Sequence, residues 1–97
     1  MLTLRFAPHL FAALRAGFEA GAGDDVPLEQ EQVAGLRLAL AEAAAGAVPG
    51  LPIIVTLESV YELYALADCF EIGAEVSAEV SVDQRQSILA LINQARP

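Results

Sequence analysis

The residue types that carry out nucleophilic or metal chemistry are scarce in this chain of 97 residues. It contains one histidine, His9, and one cysteine, Cys69, which form the one available nucleophile–base pair. The internal alignment described below places them at opposite ends of equivalent helices, and their spacing implies no third group that would orient them. A metal site needs several ligands, and no Glu-x-x-His pair is present. We therefore expect no catalytic residue, no metal and no cofactor, and we predict that the protein is not an enzyme.

Carboxylates are the reactive side chains that this sequence does concentrate. The segment from Glu58 to Asp83 contains seven acidic residues and no basic one, whereas residues 1–48 contain six acidic residues and three arginines. Neighbouring carboxylates repel one another, so this concentration favours a role in recognising positive charge. A solvated acidic face that only keeps the chain soluble explains the same pattern, and both interpretations stay open.

The overall charge narrows the class of partner. The chain has 13 acidic residues against five scattered arginines and no lysine, which gives a net charge of −8. Direct nucleic-acid binding is disfavoured, because it needs clustered basic residues. A protein partner with a basic surface is favoured instead. No signal peptide or membrane span is predicted, since charged residues interrupt the first twenty positions, and the lone thiol suits a cytoplasmic location.

The first half of the chain predicts one strand and two helices. Residues Leu2–Phe6 alternate apolar and polar side chains, as a half-buried strand does. A helix follows from Pro8, with Leu10, Phe11, Leu14 and Phe18 on one side, and the Gly21–Asp25 turn ends it. A second helix is predicted from about Pro27 to Ala45, with Val33, Leu36 and Leu40 facing the core.

The second half repeats this order after a Pro- and Gly-rich linker at residues 46–52. Ile53–Leu57 is a β-branched run and predicts a strand. Ser59-x-x-Glu62 is a capping box that opens a third helix, from Val60 to about Phe70, which Gly73 is expected to end. A second capping box, Ser81-x-x-Gln84, opens a fourth helix that reaches about Ala95.

The two halves resemble each other in sequence as well as in order. The heptapeptide at residues 26–32 aligns with residues 80–86, and its match includes polar positions that packing does not dictate. Leu14, Phe18 and Gly21 likewise align with Leu66, Phe70 and Gly73, and Gly17 with Cys69. We interpret the chain as an internal duplication of a βαα unit.

These elements predict an α+β fold of one domain spanning residues 1–97. The first repeat covers about residues 2–45, residues 46–52 link the repeats, and the second repeat covers about 53–95. Two short strands are expected to pair and to be covered by about four helices. A lone two-stranded ribbon is marginal in water, so the helices or a second copy of the chain must cover it, and a homodimer is a physical expectation.

The third helix is predicted to be apolar on two sides. Val60, Leu63, Leu66, Ala67 and Phe70 form the arc that faces the core. Tyr61, Ala65, Cys69 and Ile72 form a second stripe with acidic residues at its rim, the layout of an interaction surface. This stripe is interpreted as a partner site, as a homodimer seam, or as a surface that packs on small residues of the first helix, Ala13, Gly17 and Ala20.

The favoured hypothesis is a non-enzymatic protein–protein interaction module. Its predicted partner-binding residues lie in the second repeat: Glu58, Tyr61, Glu62, Asp68, Cys69, Glu71, Glu75 and Glu79. One alternative is a structural or regulatory homo-oligomer that uses the second stripe as its seam. Another is a small-ligand-binding protein or enzyme with a pocket between the repeats.

In size, acidity and lack of catalytic motifs, the chain resembles small accessory proteins of phages and mobile elements, such as anti-CRISPR and other anti-defence inhibitors. That resemblance implies an inhibitor that occupies the basic, nucleic-acid-binding surface of a partner. It covers bulk properties alone, and no residue motif carries it. No residue role is therefore transferred from it.

Overall fold

The computed structural model describes residues 2–22 and 30–95. Its elements follow in the order β1 (Leu2–Phe6), α1 (Pro8–Ala22), α2 (Gln30–Ala45), β2 (Ile53–Leu57), α3 (Val60–Val76) and α4 (Val82–Gln94). The predicted α+β class, with two paired strands and four helices, is confirmed. The predicted start of the second helix at Pro27 and most of the Gly21–Asp25 turn lie outside the described residues. The duplication of an ancestral βαα unit stays a prediction.

The two strands form an antiparallel ribbon with one buried and one exposed face. Leu4 pairs with Val55 at the centre of the register. Buried side chains alternate with exposed ones along both strands, because successive strand residues point to opposite faces. The buried face consists of Leu4, Phe6, Ile53, Val55 and Leu57, and the outer face of Thr3, Arg5, Ile54 and Thr56.

The helices cover the buried face of the ribbon with the apolar stripes expected from their periodicity. Phe11, Leu14 and Phe18 of α1 are buried, as are Leu36 and Leu40 of α2. In α4, Ile88 and Ile92 are completely buried one turn apart. Three phenylalanines, Phe6, Phe18 and Phe70, are the largest side chains that are completely buried in this core. Helix burial therefore completes a core that a two-stranded ribbon lacks.

The closest contact in the molecule is between α1 and α3, where the two helix backbones touch. A Cβ atom at Gly21 would overlap the carbonyl oxygen of Cys69, and a Cβ atom at Gly73 would overlap that of Gly17. A Cβ atom at Gly17 would lie 2.6 Å from the ring of Phe70. Backbone atoms cannot rotate away as side chains do, so the contact, here called the α1–α3 seam, requires glycine at these positions.

The seam corrects one prediction about where a helix ends. Gly73 does not end the third helix, because α3 continues through it to Val76, whereas the last described residue of α1, Ala22, lies within the predicted Gly21–Asp25 segment. Each glycine is a point of close approach for the opposite backbone rather than a stop signal. Under the predicted alignment, the contact of Gly21 with Cys69 is equivalent to that of Gly73 with Gly17, as a pseudo-twofold relation requires.

The two predicted capping boxes differ. At α4 the box is complete, since the Gln84 N–H donates to Ser81 Oγ at 3.1 Å and the Ser81 N–H donates to Gln84 Oε1 at 3.0 Å. At α3 the Glu62 N–H donates to Ser59 Oγ at 3.4 Å. The Glu62 carboxylate, however, accepts from the Glu58 N–H at 2.7 Å instead of closing the box on Ser59. Both serines nevertheless begin their helices as predicted.

Candidate functional site

Helix α3 divides into a buried side and an exposed side, and the exposed side carries the candidate site. The buried residues of α3 include Leu63, Leu66 and Phe70. The opposite side is spaced at three and four residues, so its side chains form one continuous strip. We name this strip the α3 face, and it consists of Tyr61, Tyr64, Asp68, Glu71, Ile72 and Glu75.

The predicted second apolar stripe does not exist as one surface. Tyr61 is 69% exposed and Ile72 is also exposed, whereas Ala65 and Cys69 are buried. Cys69 lies in the α1–α3 seam, where its carbonyl group adjoins Gly21. The prediction that Cys69 belongs to the partner-binding set is therefore corrected, because a fully buried side chain cannot contact a partner. In the structure the residue of α1 that adjoins Cys69 is Gly21, which is not one of the three small residues named in the prediction.

The Cys69 thiol is poorly suited to nucleophilic chemistry. Burial raises the pKa of the Cys69 thiol above its ordinary value, the negative charge of Asp68 raises it further, and the positive charge of Arg37 lowers it. The neutral thiol is a weak nucleophile compared with the thiolate. His9 lies in the first turn of α1, about 18 Å along the helix from Gly21, which adjoins Cys69. The two groups therefore form no nucleophile–base pair.

Five of the six predicted carboxylates fall into two groups, and the sixth, Glu79, lies apart from both. Asp68, Glu71 and Glu75 lie together on the α3 face, and Arg85 of α4 forms an ion pair with Glu75 at 3.3 Å. Glu58 and Glu62 lie at the N-terminal end of α3, where Glu62 accepts the hydrogen bond described above. Within the described parts of the chain, Asp68 and Glu71 form no ion pair with any basic side chain.

Glu79 is exposed but separate from the α3 face. It lies in the segment that connects α3 to α4, where its N–H donates to Ser77 Oγ at 3.3 Å. Two residues of the α3 face, Tyr64 and Ile72, are missing from the predicted partner-binding set. The regular spacing of positions 61, 64, 68 and 72 would have indicated that they share one side of the helix.

The arrangement of the α3 face suits contact with positive charge. Tyrosine offers a rigid apolar ring with a polar end, and aromatic rings attract arginine and lysine side chains through their faces. Asp68 and Glu71 are one turn apart, so their charges add at the surface between Tyr61 and Glu75. Exposed carboxylates of this kind can pair with arginine in a partner, where desolvation strengthens the contact.

Other classes of site find less support in the structure. Across residues 2–22 and 30–95, no three His, Cys, Asp or Glu side chains are grouped as a metal ion would require. Helices long and apolar enough to cross a bilayer are also missing from these residues. The contact between α1 and α3 at the seam is too tight to admit even a Cβ atom at Gly21 or Gly73, so no ligand fits between the helices at these glycines.

Comparison with known proteins adds no family assignment. No protein-family model, no curated protein and no solved structure matches this chain. Its function is therefore inferred from the geometry and charge of its own surface.

Proposed function

We propose that this protein is a non-enzymatic interaction module that binds a basic surface of a protein partner through the α3 face. The observation that carries the proposal is the composition of that face, on which Tyr61, Asp68 and Glu71 are exposed side by side. Aromatic residues among charged ones on one exposed strip are typical of binding surfaces rather than of solvated helix faces.

The charge distribution supports a basic partner. The chain carries a net charge of −8, and two of its five arginines, Arg37 and Arg85, form ion pairs within the molecule with Glu19 and Glu75. The field at the α3 face is therefore negative, and it attracts and orients a positively charged surface. We propose further that the partner's surface is one that binds nucleic acid, so that the chain acts as an inhibitor by occupying it.

The fold holds the α3 face in place before any partner arrives. The opposite side of the same helix contacts α1 backbone to backbone through Gly17, Gly21 and Gly73. A recognition helix anchored in this way loses little conformational freedom on binding, which leaves more of the contact free energy for affinity. A partner therefore meets tyrosine rings and carboxylates on a helix whose backbone is already fixed in place.

Mixing the protein with candidate DNA-binding effectors at low ionic strength tests this proposal. We expect a complex that displaces labelled DNA from the effector and that weakens as salt is added. Asp68→Arg should lower the affinity at least about 30-fold, because it places a cation at the centre of the contact. Asp83→Arg changes the net charge equally but lies on α4, and it should leave the affinity within about threefold.

Each alternative result is informative. Equal losses with Asp68→Arg and Asp83→Arg would show that net charge, not the α3 face, governs binding. The absence of any complex at low salt across the effectors would contradict the proposed class of partner. Charge reversal at Glu62 is a poorer test, because its carboxylate accepts the Glu58 N–H at 2.7 Å and its loss would disturb the start of α3.

A further inference from the structure

An exposed apolar surface lies where α2 connects to β2, away from the α3 face. Val48, Leu51 and Ile54 are 53%, 55% and 50% exposed, and they border one surface depression together with Ala43 of α2. We name these three residues the β2 patch. Large aliphatic side chains exposed in a contiguous group are typical of a surface that another protein covers.

A turn fixes two of the three side chains of the β2 patch. The Leu51 N–H donates to the carbonyl oxygen of Val48 at 3.1 Å, and Gly50 adopts a φ of 83°. Pro49 followed by a glycine of positive φ is the signature of a type II turn, which brings its first and fourth residues close together. Val48 and Leu51 are therefore held side by side in solvent by a short, stiff segment.

One cation and one anion flank the β2 patch on different elements. Arg5 of β1 is directly opposite Ile54 in the strand register, and both side chains lie on the exposed face of the ribbon. Glu42 of α2 is exposed and borders the same depression as Ile54 on the side of α2. In the described ranges, neither Arg5 nor Glu42 has an ion-pair partner.

We propose that the β2 patch binds a second copy of this chain in a twofold dimer. A twofold axis through the patch brings the same residues of both copies together, so that the apolar side chains cover one another. An axis in the interface plane that runs across the line from Arg5 to Glu42 also places Arg5 of each protomer opposite Glu42 of the other, because these charges flank the apolar centre on β1 and α2. The patch is thus complementary to itself in both polarity and charge.

The dimer also covers the outer face of the ribbon. The outer face of the ribbon, with Thr3, Arg5, Ile54 and Thr56, is exposed, and none of the elements that the structure describes covers it. Two-stranded ribbons are stabilised when a further layer covers them. This interface uses no residue of the α3 face, so the dimer does not depend on the proposed partner-binding function.

The net charge of each copy does not prevent this association. Charges separated by more than about 8 Å are largely screened at physiological ionic strength, whereas Arg5 and Glu42 meet at contact distance across the interface. Apolar contacts are insensitive to this screening. Raising the salt concentration from about 10 mM to about 150 mM should therefore not dissociate the dimer, in contrast to a complex formed at the α3 face.

Sedimentation equilibrium of the full chain between about 1 μM and 1 mM, at about 150 mM salt, tests the proposal. The wild-type chain is expected to dimerise, and Leu51→Asp to raise the dimer Kd at least about 30-fold, since two copies of the charge are buried. Val82→Asp is the matched control, because Val82 is 70% exposed at the start of α4, outside the patch. It should leave Kd within about threefold.

A charge exchange tests the orientation of the two copies. Arg5→Glu and Glu42→Arg should each raise the Kd about tenfold, and the double variant should return it to within about threefold of wild type. Arg15→Glu, on the exposed side of α1, controls for net charge. A monomeric wild type at 1 mM, a dimer indifferent to Leu51→Asp, or a double variant that fails to recover would each overturn the proposal. Circular dichroism of every variant verifies that the fold is retained.

Discussion

The two sides of α3 differ in composition and in their tolerance of change. The side that meets α1 has small residues, and Gly73 and Cys69 contribute backbone atoms to the α1–α3 seam. The opposite side, the α3 face, carries tyrosines and carboxylates that contact solvent. One helix therefore combines packing that requires glycine on one side with an acidic exposed strip on the other.

A small domain can hold an exposed helix in place by packing the backbone of its inward side closely against a second helix. With 97 residues, the chain has few elements to spare for support of a binding helix. Close approach of two backbones at glycines, together with the buried core residues of α3, fixes the helix from its inward side and leaves the outward side free to carry any side chain. Substitutions on the two sides should therefore separate stability from binding.

The largest expected effect comes from filling the α1–α3 seam. Gly21→Ala or Gly73→Ala should lower the free energy of unfolding by at least about 3 kcal/mol, because the new methyl group overlaps backbone that cannot move aside. Gly46→Ala is the matched control, since its Cβ would lie 3.6 Å from the nearest atom and its φ is not positive. We expect the control to change stability by less than about 1 kcal/mol. Urea unfolding followed by circular dichroism measures all three.

If Gly21→Ala and Gly46→Ala were equally stable, the helices would not touch as described. The seam would then be too loose to anchor α3, and the argument that the α3 face is rigid would fail. A rescue of Gly21→Ala by a compensating change at Gly73 is not expected, because Gly73 is already the smallest residue.

A smaller effect is expected at the two helix caps. Ser81→Ala should cost about 1 kcal/mol, because it opens a complete capping box, and Ser59→Ala should cost about 0.5 kcal/mol, because its bond to the Glu62 N–H is 3.4 Å long. The comparison shows whether α3 depends on its cap or on the seam. A cost at Ser59 that exceeds the cost at Gly21 would place the anchor of α3 at its N-terminus.

The thiol in the seam should make stability depend on alkaline pH. Burial, aided by the charge of Asp68, raises the pKa of the Cys69 thiol in the folded chain, so the unfolded chain releases this proton first as the pH rises. Ionisation of this thiol therefore leaves the free energy of unfolding unchanged below about pH 8.5, where an exposed thiol stays protonated. Above that pH it lowers the free energy of unfolding. The fall should be shallower in Cys69→Ala than in wild type. Identical slopes would show that Cys69 is not buried.

The sequence predicts the order of strands and helices better than it predicts where the helices end. Alternation at Leu2–Phe6, the β-branched run at Ile53–Leu57 and the two capping serines are enough for the element order, because these signals are local. The end of α3 was not predictable in the same way. Gly73 is a stop signal by itself, and it becomes a packing device only when the backbone of α1 lies against it.

In the candidate site, too, local properties were predictable from the sequence and tertiary contacts were not. The excess of carboxylates after Glu58 is a property of composition, so it was visible in the sequence. The separation of Cys69 from Tyr61 was not, since both lie on the side of the helix opposite the predicted core arc. Which of the two is buried depends on the angle at which α1 crosses α3, and tertiary contacts set that angle.

The smallest effect on stability is expected on the α3 face. Tyr61→Ala should change the free energy of unfolding by less than about 0.5 kcal/mol, because the ring is 69% exposed. The same substitution should lower the affinity for the partner strongly. Urea unfolding and an affinity measurement on the same variant test this expectation, and a large loss of stability would show that Tyr61 supports the fold instead.

The most direct test of the central claim is a quantitative pull-down from a bacterial lysate with wild type, Asp68→Arg and Asp83→Arg, read by mass spectrometry. We expect at least one nucleic-acid-binding protein to be enriched equally in the pull-downs with wild type and with Asp83→Arg, and to be lost from the pull-down with Asp68→Arg. Both substitutions should leave the chain folded, since both positions are exposed, and Asp83→Arg should cost about 0.5 kcal/mol because Asp83 lies in the first turn of α4, where the helix dipole favours negative charge. Retention of every enriched protein by Asp68→Arg would contradict the claim that the α3 face is the binding surface.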